Sequence, residues 1–205
     1  MKTVKAILFD LGNVLVRFDP KIAEKAYGAY GKIWEGSFVN YLMDSDICNS
    51  YMEGKLTSSQ FYSRTCRYLK IKIKYGEFYD IWNSIFFSDP DMEKLVSDIK
   101  KKYPEIKLAL LSNTNEEHYK FLEKEYKILE FLDFYVVSHE VGKIKPHPDM
   151  FKEALRLTGT FPKETFYTDD REDLIESART MGIRAYQFTG HQRLREQLDK
   201  SGIQV

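Results

Sequence analysis

Four places along the chain carry residues whose types could do chemistry: Asp10, the run Ser112-Asn113-Thr114-Asn115, the lysines Lys143 and Lys145, and the pair Asp169-Asp170. Carboxylates brought together repel one another and lose solvation, so they persist best around a cation. An oxygen donor set without His or Cys favours Mg2+, which keeps several waters and completes its shell with substrate phosphate. Hydroxyl, amide and backbone N–H groups at Ser112 and Asn113 suit phosphate oxygens, and a nearby lysine would neutralise their charge. Spacing alone leaves other readings open. Asp10 and Asp169-Asp170 equally suit turn or helix caps, Ser112-Asn113 a simple helix start, and either lysine a solvated surface charge.

The surrounding pattern says how these residues could meet. Residues 4–9 (VKAILF), 107–111 (KLALL), 134–137 (FYVV), 165–167 (TFY) and 184–188 (RAYQF) are brief apolar or β-branched runs and read as strands. Helical spacing fills the gaps: Met92, Leu95, Val96 and Ile99 after an Asp89-Pro90 start signal; Tyr119, Leu122 and Tyr126 after Asn115; Met150, Phe151, Ala154, Leu155 and Leu157 after Pro148. Residues 171–181, ended by Gly182, and 191–200 complete the set. Strands alternating with helices predict an α/β fold with a parallel sheet covered on both faces. In such sheets ligands bind beyond the carboxyl ends of the strands, which brings the four polar places to one edge. Residues 20–88 differ: they show no convincing strand, but many aromatic and apolar residues at helical spacing. They read as a helical insert, being far too long for a loop.

Composition narrows the partners. The chain has 205 residues, with 31 Lys+Arg balanced by 31 Asp+Glu, so neither nucleic acid nor an anionic membrane is the expected partner. With 43% hydrophobic residues, including 14 Phe and 14 Tyr, one domain or a domain plus a small insert can bury a real core. No apolar run approaches the ~20 residues needed to span a bilayer. The short N-terminal apolar stretch runs straight into Asp10, unlike a signal peptide. Cys48 and Cys66 are too few for a disulfide framework and lack metal-ligand spacing, so they read as two half-buried thiols in a reducing cytoplasm. Nothing demands more than a monomer or weak homodimer.

Four motifs, in this order, resemble the haloacid dehalogenase superfamily: Phe9-Asp10-Leu11-Gly12-Asn13-Val14-Leu15-Val16, Leu110-Leu111-Ser112-Asn113-Thr114, Val141-Gly142-Lys143-Ile144-Lys145-Pro146-His147-Pro148, and Phe166-Tyr167-Thr168-Asp169-Asp170. Their wording looks most like the branch containing bacterial sugar-phosphate phosphatases such as alpha-glucose-1-phosphate phosphatase. The resemblance implies a Rossmann-like catalytic core over residues 1–16 and 89–205, with a small all-helical cap over 17–88. It implies a Mg2+-dependent phosphatase acting on a small phosphorylated metabolite, in which Asp10 attacks phosphorus and an aspartyl-phosphate is then hydrolysed by water. Asp10, the Gly12 carbonyl and Asp170 would hold Mg2+, with Asp169 a direct or water-mediated ligand. Ser112 and Asn113 would bind phosphoryl oxygens, and Lys145 would bridge phosphate and nucleophile, while Lys143 stays on the surface.

Two departures from the superfamily pattern matter. Many of its phosphatases carry an Asp at the position of Gly12 as general acid; glycine can still offer a carbonyl to metal, but no proton. The helix after the acidic pair has Leu174 where many relatives have an acid, and Asp173, one position earlier, reads as an exposed helix charge. Within the insert, Asp44, Asp46, Asn49, Tyr51 and Glu53 could read sugar hydroxyls, or simply form a solvated face. Trp34, Phe38, Phe61 and Trp82 read as insert core, and His118, His139 and His147 as surface imidazoles. Two further functions fit the resemblance: a metal-independent hydrolase acting at carbon, disfavoured by the retained acidic pair, and a catalytically weakened binding or regulatory protein, suggested by Gly12.

Overall fold

A computed structural model describes residues 3–31, 36, 38, 42–43 and 45–205. Five strands, β1 (Ala6–Phe9), β4 (Lys107–Ser112), β5 (Phe134–Val137), β6 (Thr165–Asp169) and β7 (Arg184–Gln187), form one sheet in the order β5-β4-β1-β6-β7. All its pairings are parallel, with Phe9 level with Leu110 on one side and Thr168 on the other. A parallel sheet covered on both faces needs apolar residues at successive strand positions, and every residue of β1 is buried.

One face packs on α5 (Pro90–Lys102), α6 (Glu116–Glu125) and α10 (His191–Lys200) through Ile7, Phe9, Leu95, Val96, Ile99, Leu122 and Leu194. The other packs on α8 (Pro148–Thr158) and α9 (Glu172–Thr180) through Leu8, Leu111, Met150, Phe151, Ile175 and Ala178. The chain runs β1, β4, β5 to one edge and then returns to lay β6 against the other side of β1. Such a reversal opens a crevice at the strand ends, here beside Asp10.

Between residues 17 and 87 the chain leaves the sheet. Among the described residues four α-helices, α1 (Pro20–Tyr27), α2 (Asp46–Met52), α3 (Ser58–Leu69) and α4 (Tyr75–Asn83), enclose their own core of Tyr27, Phe38, Tyr51, Phe61, Phe78 and Trp82. Their local signals are sound: Thr57 and Gln60 form a reciprocal capping box at the start of α3. The lobe joins the sheet domain through a two-stranded antiparallel ribbon, β2 (Arg17–Phe18) against β3 (Phe86–Phe87). The expectation of no strand within residues 20–88 therefore fails at its last turn, because two residues are too few to display an alternating pattern. Trp34 and Asp44 lie outside the described residues. Phe38, Phe61 and Trp82 are core of the lobe. No helix among the described residues is long and apolar enough to cross a membrane.

Candidate active site

Asp10 follows β1 directly, its N–H donating to the Thr168 carbonyl at 3.0 Å. The next residues fold back tightly, with Asn13 N–H on the Val16 carbonyl at 2.7 Å and Asn13 itself at φ 60°, a left-handed conformation that asparagine tolerates. That turn aims the Asn13 amide at Asp170, whose Oδ2 it reaches at 3.1 Å.

Lys145 is the centre of the site. Its side chain is 1% exposed, and its ammonium donates to Asp10 Oδ1 at 2.6 Å, Asp169 Oδ2 at 2.6 Å, the Leu111 carbonyl at 2.9 Å and the Tyr167 hydroxyl at 3.2 Å. Burial works against its charge, but Asp10 and Asp169 outweigh it and hold the ammonium above the ordinary lysine value. Asp10 is pushed up to about 7, by burial first and by Asp169 and Asp170 as well, with Lys145 opposing. Asp170 is also raised, mainly by burial, with Asn13 opposing. Asp10 Oδ2 has no hydrogen-bond partner among the described residues. One carboxylate oxygen is clamped and the other is left for chemistry.

Asp169 is wholly buried, and its oxygens are spoken for: Oδ2 accepts from Lys145 and from the Tyr167 hydroxyl, and Oδ1 accepts from Arg171 N–H at 3.0 Å. It ends β6 rather than starting a loop, and neither it nor Asp170 caps α9, whose N-cap is Arg171. Carboxylate oxygens of Asp10, Asp169 and Asp170 lie within 4.8 Å of one another. Three acids against one lysine, with only oxygen donors, is a set that a hard divalent cation fits.

Ser112 ends β4, is 2% exposed, lines the cavity and makes no side-chain hydrogen bond among the described residues. Asn113 behaves differently from the expectation of a phosphate-binding amide. Its Oδ1 accepts from Lys145 N–H at 2.6 Å and its Nδ2 donates to the Lys145 carbonyl at 3.0 Å. The side chain is thus a two-point latch on the lysine's backbone, with one Nδ2 hydrogen left over beside the main-chain N–H. Gly12 also lines the cavity, and a Cβ on it would meet the Phe18 ring at 2.9 Å. The missing side chain is room already filled.

Lys143 is exposed, and Asp173 is exposed with its carboxylate on the Arg171 guanidinium at 2.7 Å and 3.1 Å. Among the imidazoles, His147 is exposed and His139 half-buried. His118 overturns the surface reading: it is buried on α6, stacked on Trp82 with ring centroids 4.7 Å apart. Its Nε2 donates to the Trp82 carbonyl at 3.0 Å, so Nδ1 accepts from the Asn115 amide at 3.1 Å. Burial drives its pKa down to about 3. Helical position gave no hint, because the aromatic lobe that covers α6 comes from a distant part of the chain. Tyr167 was also missed. Strand alternation puts it on the same face as Asp169, a signal available once β6 is extended to include the acid.

These elements enclose a cavity of about 340 Å³. Its floor is the strand-end cluster; its roof is the helical lobe.

Comparison with known proteins bears on what such a site does. The sequence profile described as haloacid dehalogenase-like hydrolase matches residues 7–188. A D-ribitol-5-phosphate phosphatase of Bacteroides thetaiotaomicron is 25% identical over 192 residues, covering 90% of this chain and 91% of that protein. A crystal structure of a HAD family enzyme from Bacteroides thetaiotaomicron superposes with a TM-score of 0.82 at 26% identity, over 93% of this chain and 96% of that one. The wild-type form of that enzyme in complex with magnesium and inorganic phosphate superposes with a TM-score of 0.76 at 26% identity, over 92% and 96%.

Proposed function

This chain belongs to the haloacid dehalogenase-like hydrolase family, and from that premise we propose that it is a Mg2+-dependent phosphatase of a small phosphorylated metabolite, with Asp10 as nucleophile. The observation that carries the reading is the state of the Asp10 carboxylate on a residue that lines the cavity: Oδ1 is held by a buried lysine at 2.6 Å, and Oδ2 has no hydrogen-bond partner among the described residues. The similar phosphatase and the magnesium and phosphate complex of the similar enzyme support it.

Asp10, the Gly12 carbonyl and Asp170 would hold the cation, with Asp169, already bound to Lys145, meeting it through water. Bound there, Mg2+ supplies positive charge that offsets the crowded acids and the phosphoryl oxygens. Asp10 Oδ2 attacks phosphorus, the bond from phosphorus to the ester oxygen breaks, and the departing oxygen takes a proton from water. A second water then attacks the aspartyl-phosphate, releasing inorganic phosphate and restoring Asp10. Lys145 stays protonated throughout and keeps the nucleophile's free oxygen pointed at its target; the Ser112 hydroxyl and the Asn113 N–H bind phosphoryl oxygens. Positioning and charge neutralisation do most of the work in such transfers. With Gly12 there is no side-chain general acid at that position, a loss of about 10²–10⁴-fold in rate for poor leaving groups. The helical lobe over residues 17–88 acts as a cap that keeps bulk water from the site.

The test is hydrolysis of 4-nitrophenyl phosphate with and without Mg2+. Turnover should require the metal and fall by at least ~10³-fold in Asp10→Asn. Undiminished turnover in that variant, or metal-independent release of halide from 2-haloacids, would overturn the reading.

A further inference from the structure

The roof of the cavity carries a second message. On the side facing the strand ends it presents Phe18, Met43, Met52, Trp82, Ile85 and Phe86. Among the described residues, the polar groups of the lobe singled out as hydroxyl readers point away from this cavity. The Tyr51 hydroxyl pairs with Ser58 Oγ at 2.9 Å, Glu53 with Lys55, and Asp46 is exposed. None of these lines the cavity among the described residues.

The polar atoms that do border the roof are bonded to one another. Trp82 Nε1 lies 3.5 Å from Asn115 Oδ1, His118 Nε2 donates to the Trp82 carbonyl, and His118 Nδ1 accepts from Asn115. A ligand hydroxyl pressed against this surface would lose its water and find no partner there; the other polar lining residues, Thr114 and Arg171, follow the ends of β4 and β6 and belong to the floor. A hydrocarbon would lose nothing and gain contact with thioethers and rings that adapt to its shape.

Resting on the phosphatase reading above, we infer that the group esterified to the phosphate is a hydrocarbon body, alkyl or aryl, rather than a polyol. The chain thus parts company with the similar D-ribitol-5-phosphate phosphatase in what it selects. The floor recognises the phosphate and the roof rejects hydroxyls.

The experiment compares n-pentyl phosphate with D-ribitol 5-phosphate, primary esters of equal carbon-chain length, as inhibitors of 4-nitrophenyl phosphate hydrolysis by the Mg2+-loaded protein. Inhibition constants report binding whether or not the competitor is itself turned over. Pentyl phosphate should bind at least about tenfold more tightly, the scale on which an apolar pocket sorts ligands. Met52→Gln, which puts an amide into the roof and leaves the floor intact, should narrow that ratio by roughly threefold or more. Equal or tighter binding of ribitol 5-phosphate, with 4-nitrophenyl phosphate still hydrolysed, overturns this inference and leaves the phosphatase reading standing. A ratio unmoved in Met52→Gln overturns the assignment to the roof. Absence of any 4-nitrophenyl phosphate turnover brings down both.

Discussion

The floor of the cavity and the lobe that roofs it are held together by opposite physics. The floor is a charged cluster: Lys145 among Asp10, Asp169 and the Tyr167 hydroxyl, each at hydrogen-bond distance. Behind the roof's surface stands an aromatic stack: Tyr51 on Phe61 with centroids at 4.3 Å, Phe61 against Trp82 at 4.8 Å, and Trp82 on the His118 ring. In the floor every group depends on a specific partner, because an unpaired charge in a dry site is very costly. In the roof the energy is spread over contact area, and partners are exchangeable if volume is kept. In the function proposed above, the floor has the one task of holding a phosphoryl group, and the roof discriminates among what is attached to it.

The most severe way to break the contrast is at its centre. Lys145→Ala strands two carboxylates beneath the cavity and should cost about 3–5 kcal/mol of stability, read by urea unfolding in the absence of metal. Adding Asp169→Asn should recover part of that loss, since one stranded charge is gone. If the double variant is no more stable than the single, the lysine's role is packing rather than charge, and the floor resembles the roof after all.

The seam between the two regions is open to pH. Burial holds His118 at about 3, below the ordinary 6.5, so the unfolded chain binds a proton that the folded chain refuses. The stability this group permits is complete above pH 6.5 and is lost as pH falls from 6.5 toward 3, at up to about 1.4 kcal/mol per pH unit. Unfolding free energies measured across that window should fall less steeply in His118→Asn, by close to one proton's slope. Identical slopes would mean that the imidazole is not sealed beneath Trp82.

A smaller effect lies where the ribbon meets the turn after Asp10. Gly12→Ala puts a methyl 2.9 Å from the Phe18 ring and should destabilise by about 1–3 kcal/mol through overpacking. Phe18→Leu in the same chain should relieve most of it, as shown by thermal unfolding of the two single variants and the double. Additive losses would show that Gly12 is needed for its backbone and not for the ring's space.

Much of the floor could be read from residue order. Short apolar runs followed by Asp10, by Ser112 and by Asp169-Asp170 mark strands whose carboxyl ends share an edge, because a strand buried on both faces has only its end free to be polar. Helix starts such as Asn115 and Pro148 announced themselves through local chemistry, since a cap acts within one turn. Roles were harder. Asn113 reads as a phosphate ligand in its motif, but its amide latches the backbone of Lys145, 32 residues away.

By itself the sequence determined the alternation of strand and helix, the edge at which the polar residues gather, and the chemistry they could share. All of these follow from periodicity and local bonding, which act over a few neighbouring residues. Only the tertiary structure decided which of Asp10's oxygens is clamped, that His118 is entombed under Trp82, and that the lobe, among its described residues, turns methionines and rings toward the site. Those outcomes depend on groups far apart in the chain competing for the same desolvated space, and nothing in a local pattern records who wins it.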